Sequence, residues 1–174
     1  GKDANVIGSN VEKAVGIGFS NVNALTYIGG EGGTFSIEAD ITVWKATNAQ
    51  DRVFNIGASS ADGVEAEVDI KGGIGHSTNN ADGQNITLVK TGAGTLKISN
   101  TNETPGLRIE EGKVIAAHAN ALGQDRALKN TVTVGSSFAI ATLDLQADNA
   151  TAVSILQGNA NGVITNSTET MHTL

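Results

Sequence analysis

Cysteine is absent from this chain of 174 residues, which removes two classes at once: neither a disulfide framework nor a thiolate metal site can form. The absence suits a cytosolic protein, and equally a bacterial secreted protein that must stay unfolded before export. Aromatics make up 3% of the residues and proline occurs once, so a core built round large aromatic anchors is excluded. Basic side chains are outnumbered, 11 Lys and Arg against 18 Asp and Glu. The net charge of −7 argues against a phosphate-backbone partner, which needs clustered cations, and no nucleic acid is expected. Long apolar runs are lacking too: each is cut by Gly, Asn or Asp, so neither a signal peptide nor a membrane span is legible. The chain begins at Gly1 and stops at Leu174 without an evident terminal element, and reads as one piece, residues 1–174, of something longer.

What is present is glycine, 22 of them, set among Val, Ile, Leu and Ala. This composition builds many thin aliphatic layers. VGIGF and ALTYIGG near the start read as short strands between turns. TFSIEADITVW alternates, with Phe35, Ile37, Ala39, Ile41 and Val43 on one face and Ser36, Glu38, Asp40 and Thr42 on the other, the signature of a half-buried strand. VEAEVDIK repeats the pattern, which puts Val64, Ala66, Val68 and Ile70 inward and Glu65, Glu67, Asp69 and Lys71 outward. Shorter units follow: ITLVK, TLKIS, GLRIE, GKVIA, TVTVG, FAIATLDLQ, AVSILQG and GVITN, with turn signals between them. Ile86, Leu107, Val132 and Val153 mark a return at roughly twenty-residue intervals, in the range of a solenoid repeat. VIAAHANAL, residues 114–122, competes as a short helix that Gly123 would end.

The sequence predicts an all-β chain, and two closures stay open. An antiparallel β-sandwich pairs distant strands and wants long strands with aromatic anchors. A parallel solenoid stacks each coil on its neighbour, with Gly and Asn at the corners; the scarcity of aromatics favours it. At about 4.8 Å per coil it would hold on the order of eight coils over some 40 Å.

The stretch LVKTGAGTLKISNTNETPGLRIEEGKVIAAHANALG, residues 88–123, resembles the passenger-associated repeat of bacterial autotransporters. The matching positions are Lys90, Gly92, Gly94, Leu96 and Ile98, then Gly106, then Gly112 with Val114, then Ala121, Leu122 and Gly123. Pro105 stands where an aromatic-Thr-Gly corner is usual, and Val114 replaces a leucine. Residues 1–83 share only a compatible composition. The resemblance implies a right-handed parallel β-helix, secreted to or displayed on the surface of a Gram-negative cell, with membrane attachment through a separate outer-membrane barrel. It implies a structural stalk or adhesin display, with a host surface protein, a glycan or another copy of the chain as partner. Gly92 and Gly94 would then turn the corner into a new coil, and Leu96 and Ile98 would point inward.

Motifs that carry chemistry are thin. TGAGT lacks the Lys-Ser/Thr ending of a nucleotide loop. GGIGHS is similar to a calcium nonapeptide, but His76 stands where an aspartate is wanted, and a solvent-facing turn is the reading. His76, His118 and His172 are too dispersed for one metal, and Asp62, Asp69 and Asp82 lack the ordered calcium-loop pattern. No cofactor or metal site is expected. No Asp-Asp pair near a Gly-His element and no G-x-S-x-G appears, so the chain reads as a non-enzyme, with a β-helix carbohydrate-active enzyme as the rival. Trp44 and Tyr27 read as caps on a coil end. Asn85-Ile86-Thr87 and Asn102-Glu103-Thr104 match glycosylation sequons.

Overall fold

The computed structural model describes residues 6–7, 17–19, 22–43, 51–76, 86–104, 106–123, 130–147 and 153–168. Short β-branched runs between glycine and asparagine turns cannot nucleate helices, and no helix occurs among the described residues. The strands are β1 (Val6–Ile7), β2 (Ile17–Phe19), β3 (Asn23–Tyr27), β4 (Phe35–Ile37), β5 (Ile41–Val43), β6 (Asp51–Ile56), β7 (Val68–Ile70) and β8 (Ile74–His76). They continue as β9 (Thr87–Thr91), β10 (Thr95–Ile98), β11 (Gly106–Ile109), β12 (Gly112–Ala116), β13 (Thr131–Val134), β14 (Ala141–Leu145), β15 (Ile155–Gly158) and β16 (Gly162–Thr165).

Three parallel sheets form among the described residues, of seven, six and three strands. The seven-stranded sheet runs β1-β4-β7-β10-β12-β14-β16, the six-stranded sheet β15-β13-β11-β9-β6-β3, and the three-stranded sheet β2-β5-β8. The chain visits them in rotation. β4, β5 and β6 fall one in each sheet, and β7, β8 and β9 repeat the round. After β8, among the described residues, the third sheet is represented by a bridge between Ile74 and Asn102, and the described strands β9 to β16 alternate between the two larger sheets. Every pairing between described strands is parallel, so the antiparallel sandwich is not what this sequence forms.

Register lines like side chains up in columns. Phe35, Val68, Leu96, Val114, Leu143 and Ile164 follow one another across the seven-stranded sheet. Leu88, Leu107, Val132 and Leu156 do so across the six-stranded sheet. The inner members form one continuous core cluster. Each fully buried aliphatic side chain removes apolar area worth about 1.5–3 kcal/mol. Ile155, Leu156, Val163 and Ile164, on the last strand of each larger sheet, are partly exposed. Tyr27 sits on β3, the opposite edge of the six-stranded sheet, and packs against the core.

Several expectations are corrected. TFSIEADITVW is two strands in different sheets, β4 and β5, hinged at residues 38–40. The alternation survives because Ile37, Ala39, Ile41 and Val43 stay buried through the corner. In VEAEVDIK only Val68–Ile70 is strand, and Glu67 is buried, not outward. Its carboxylate accepts the Ser59 N–H at 2.8 Å and the Thr95 N–H at 2.6 Å, which supplies the charge-assisted partners a buried carboxylate requires. The competing helix over residues 114–122 does not form; the segment is the end of β12 followed by a turn, since Val114 and Ala116 complete inward columns. GGIGHS is not a solvent-facing turn: Ile74–His76 is strand β8 and Ile74 is core. The expected repeat is out of phase at both ends, for Leu88 and Leu156, and not Ile86 and Val153, align with Leu107 and Val132. Among the described residues the longest sheet has seven strands, against an expectation on the order of eight coils. Trp44, Asp82, Asn85, Pro105 and His172 lie outside the described residues.

Candidate functional site

The segment Leu88–Gly123 spans β9 to β12 and two stacked corners. Lys90 and Gly92 make the first corner, and Gly112 the second. Lys90 lies in line with Phe54 on one side and Ile109 on the other, both core residues, and is itself fully buried. A buried ammonium needs acceptors, and it has three. Nζ donates to the carbonyl oxygens of Thr91 at 2.9 Å, Gly92 at 2.6 Å and Glu111 at 3.1 Å. One lysine thereby ties the TGAG corner to the EEG corner stacked on it. Burial pulls its pKa down to about 8, against the weaker raising effect of Glu111 and Glu67.

The glycines follow from the same stacking. Gly92 has φ +77 and Gly112 φ +73, the left-handed region. A Cβ on Gly112 would lie 2.5 Å from the carbonyl oxygens of both Gly92 and Gly94. Gly94 closes the first corner through its N–H to Ile56 O at 2.8 Å, so that amide is committed to the stack and does not face an anion. Leu96, Ile98 and Val114 are core residues on β10 and β12. Gly106 opens β11 against Thr87, and Leu122 and Gly123 close the segment with Leu122 in the core. The matched positions among the described residues are thus taken up by corners and core.

Lys90 also sets a measurable pH dependence. In the unfolded chain the lysine titrates near 10.5, and in the folded chain near 8. Between those values the unfolded state holds more protons, so the contribution of Lys90 to stability rises with pH across that window, by up to about 3 kcal/mol. Denaturant unfolding of wild type and Lys90→Met from pH 7 to 11 should show wild type gaining on the variant as pH rises. A gap that is flat with pH contradicts the assignment.

Beside the matched positions, the outer face of the seven-stranded sheet carries a polar network the sequence did not announce. Asp144 is fully buried; burial alone would raise its pKa, but Lys113 Nζ at 2.7 Å and the Ser167 hydroxyl and N–H hold it below the usual range. Lys97 pairs with Glu65 at 2.7 Å, and Ile115, between Lys97 and Asp144 in register, is buried beneath them. Asn102 is fully buried and its Oδ1 accepts the Thr104 N–H and hydroxyl, so this sequon is an internal corner and not an accessible acceptor. His118 Nδ1 accepts the Asn120 N–H in a turn, and Asp69 accepts the Ser99 hydroxyl. No group of three or more His, Asp or Glu suited to a metal occurs among the described residues.

Two grooves remain. One, of about 250 Å³, lies over the three-stranded sheet, floored by Gly73 and Gly75 with Asp40 and Glu103 along it; Asp40 Oδ1 accepts the Gly73 N–H at 2.8 Å. The larger, of about 520 Å³, lies beside the six-stranded sheet. Arg108 lines it, held by Asp51 at 2.7 Å and Glu110 at 2.8 Å, and Phe138 rises at its rim. No family model, curated protein or solved structure matches the chain. Function therefore rests on the geometry and on the residues of the 88–123 segment.

Proposed function

We propose that the chain is a stretch of right-handed parallel β-helix and works as a non-enzymatic passenger segment, exported with a separate outer-membrane barrel and displayed on the surface of a Gram-negative cell. In this role it is a stalk that holds exposed faces away from the envelope. The observation that carries the reading is the Lys90 corner: the residues that resemble the passenger-associated repeat are the ones that tie consecutive corners of the stack together. The rotation of the chain through three parallel sheets supports the winding, and in-register aliphatic columns support a rigid rod. Seven strands at about 4.8 Å spacing give a column of roughly 30 Å, which further stacked coils would lengthen into a spacer.

The test is display. Residues 1–174 are placed between a secretion signal and a barrel stripped of its own passenger, in a Gram-negative host, and intact cells are treated with external protease. The expected result is surface labelling by antibody together with a protease-resistant fragment that contains β6 to β14. Retention in the periplasm, or surface chains degraded without a protected fragment, overturns the proposal.

A further inference from the structure

From β9 onward, the corners that join the six-stranded sheet to the seven-stranded sheet are short with one exception, as the earlier corners at 28–34 and 57–67 are not. Residues 92–94 join β9 to β10, 110–111 join β11 to β12, and 159–161 join β15 to β16, whereas 135–140 join β13 to β14. In stacked folds such an insertion stands out from the side of the stack, where binding loops occur. This one is braced. Ser136 Oγ accepts the N–H of Ala139 at 3.2 Å and that of Phe138 at 3.4 Å, and Asn161 Nδ2 donates to Ser136 O at 2.9 Å. The brace presents Phe138 97% exposed, in a chain with four phenylalanines. Leaving that ring in water forgoes about 2 kcal/mol of burial, and the core makes no use of it.

Beneath the ring lies the groove of about 520 Å³, within the range of small-ligand sites. Arg108 is fixed there by Asp51 and Glu110, which take two of the five guanidinium N–H groups and leave the others for a ligand. Glu110, Glu111, Ser137 and Asn159 add acceptors and hydroxyl or amide donors. A polar trough with donors and acceptors side by side and one aromatic plane at the rim matches a sugar ring, which offers hydroxyls at its edge and C–H groups on its face. An anionic ligand is disfavoured, because Arg108 is already neutralised and Glu110 and Glu111 remain.

We propose that this groove is a binding site for a neutral saccharide, with the pyranose face on Phe138 and its hydroxyls bonded to Arg108, Glu110 and Asn159. The site does not depend on the export reading; a folded chain that never reached a cell surface would still bind. The test uses the whole chain against a panel of neutral and uronic- or sialic-acid-containing oligosaccharides, followed by saturation-transfer NMR titration of the hits. Expected are neutral hits, affinity about tenfold weaker in Phe138→Ala, recovery in Phe138→Trp, and unchanged thermal unfolding in both, since the ring touches nothing in the core. The proposal is overturned by the absence of neutral hits up to about 10 mM, by preference for acidic glycans, or by affinity indifferent to Phe138. Phe138-dependent dimerisation in place of glycan binding also overturns it, and assigns the loop to a second copy of the chain.

Discussion

Leu96→Asp is expected to abolish the fold of more than one strand. Leu96 is fully buried on β10, in line with Val68 on β7 and Val114 on β12. The substitution forfeits the leucine burial, about 2 kcal/mol, and drives a carboxylate into a column without a polar partner in line with it, a further several kcal/mol. A total of about 5 kcal/mol or more is comparable to the whole stability of a small domain. In a stack each strand is held by its two neighbours, so the loss propagates. Circular dichroism should lose its β signal, and hydrogen exchange should show deprotection of β7 and β12 along with β10. Protection lost from β10 alone would falsify the view that neighbouring strands template one another. Lys97→Ala on the same strand is the control: its side chain lies on the outer face, paired with a half-exposed Glu65, and its loss should cost less than about 1 kcal/mol.

Gly112→Val carries the second largest effect, about 4 kcal/mol. A β-branched residue at φ +73 is strained by itself, and its Cβ would sit 2.5 Å from two backbone oxygens, Gly92 O and Gly94 O, that cannot retreat without separating stacked corners. Gly63→Ala distinguishes the two causes. Gly63 has φ +75, but a Cβ added there would meet nothing within 4 Å, so it bears the conformational cost alone, about 1 kcal/mol. Denaturant midpoints of the two variants should therefore differ by about 3 kcal/mol once converted with a common m-value. Equal effects would mean that the corners of this stack are not in contact.

The Lys90 and Phe138 experiments probe different parts of the molecule and do not depend on each other. Lys90 sits inside, where a change in protonation is felt by the fold, whereas Phe138 sits outside, where truncation leaves the fold untouched. The first reads the corner that supports the surface-display proposal. The second reads the saccharide groove.

Much of the strand content is legible in the sequence because period-two alternation reports burial directly. Ile37, Ile41, Val43, Val68 and Ile70 are inward as expected, and the TGAG turn is a corner. Sheet membership is not legible. TFSIEADITVW alternates without interruption although it crosses from one sheet to another, because a corner with an inward Ala39 preserves the pattern of a straight strand. Phe138 reads with the strand that follows it, since FAIATLDLQ alternates as well; only the six-residue length of the corner at 135–140 lifts it out of the ladder. Glu67 departs from expectation for the opposite reason. Alternation sends it outward, and its two backbone donors, Ser59 and Thr95, come from segments that fold onto it from either side along the chain.

By itself, then, the sequence determined that the chain is all-β, that its layers are aliphatic and thin, and that the backbone turns at TGAG, because these depend on side-chain size, period and φ preference, all local properties. Tertiary structure alone decided which strands pair and in what register, that Lys90 is an internal tie between corners, and that Arg108, Glu110 and Phe138 share one groove. Those outcomes depend on contacts between residues brought together by stacking, and the unequal lengths of chain between successive strands hide such contacts from any reading along a single line.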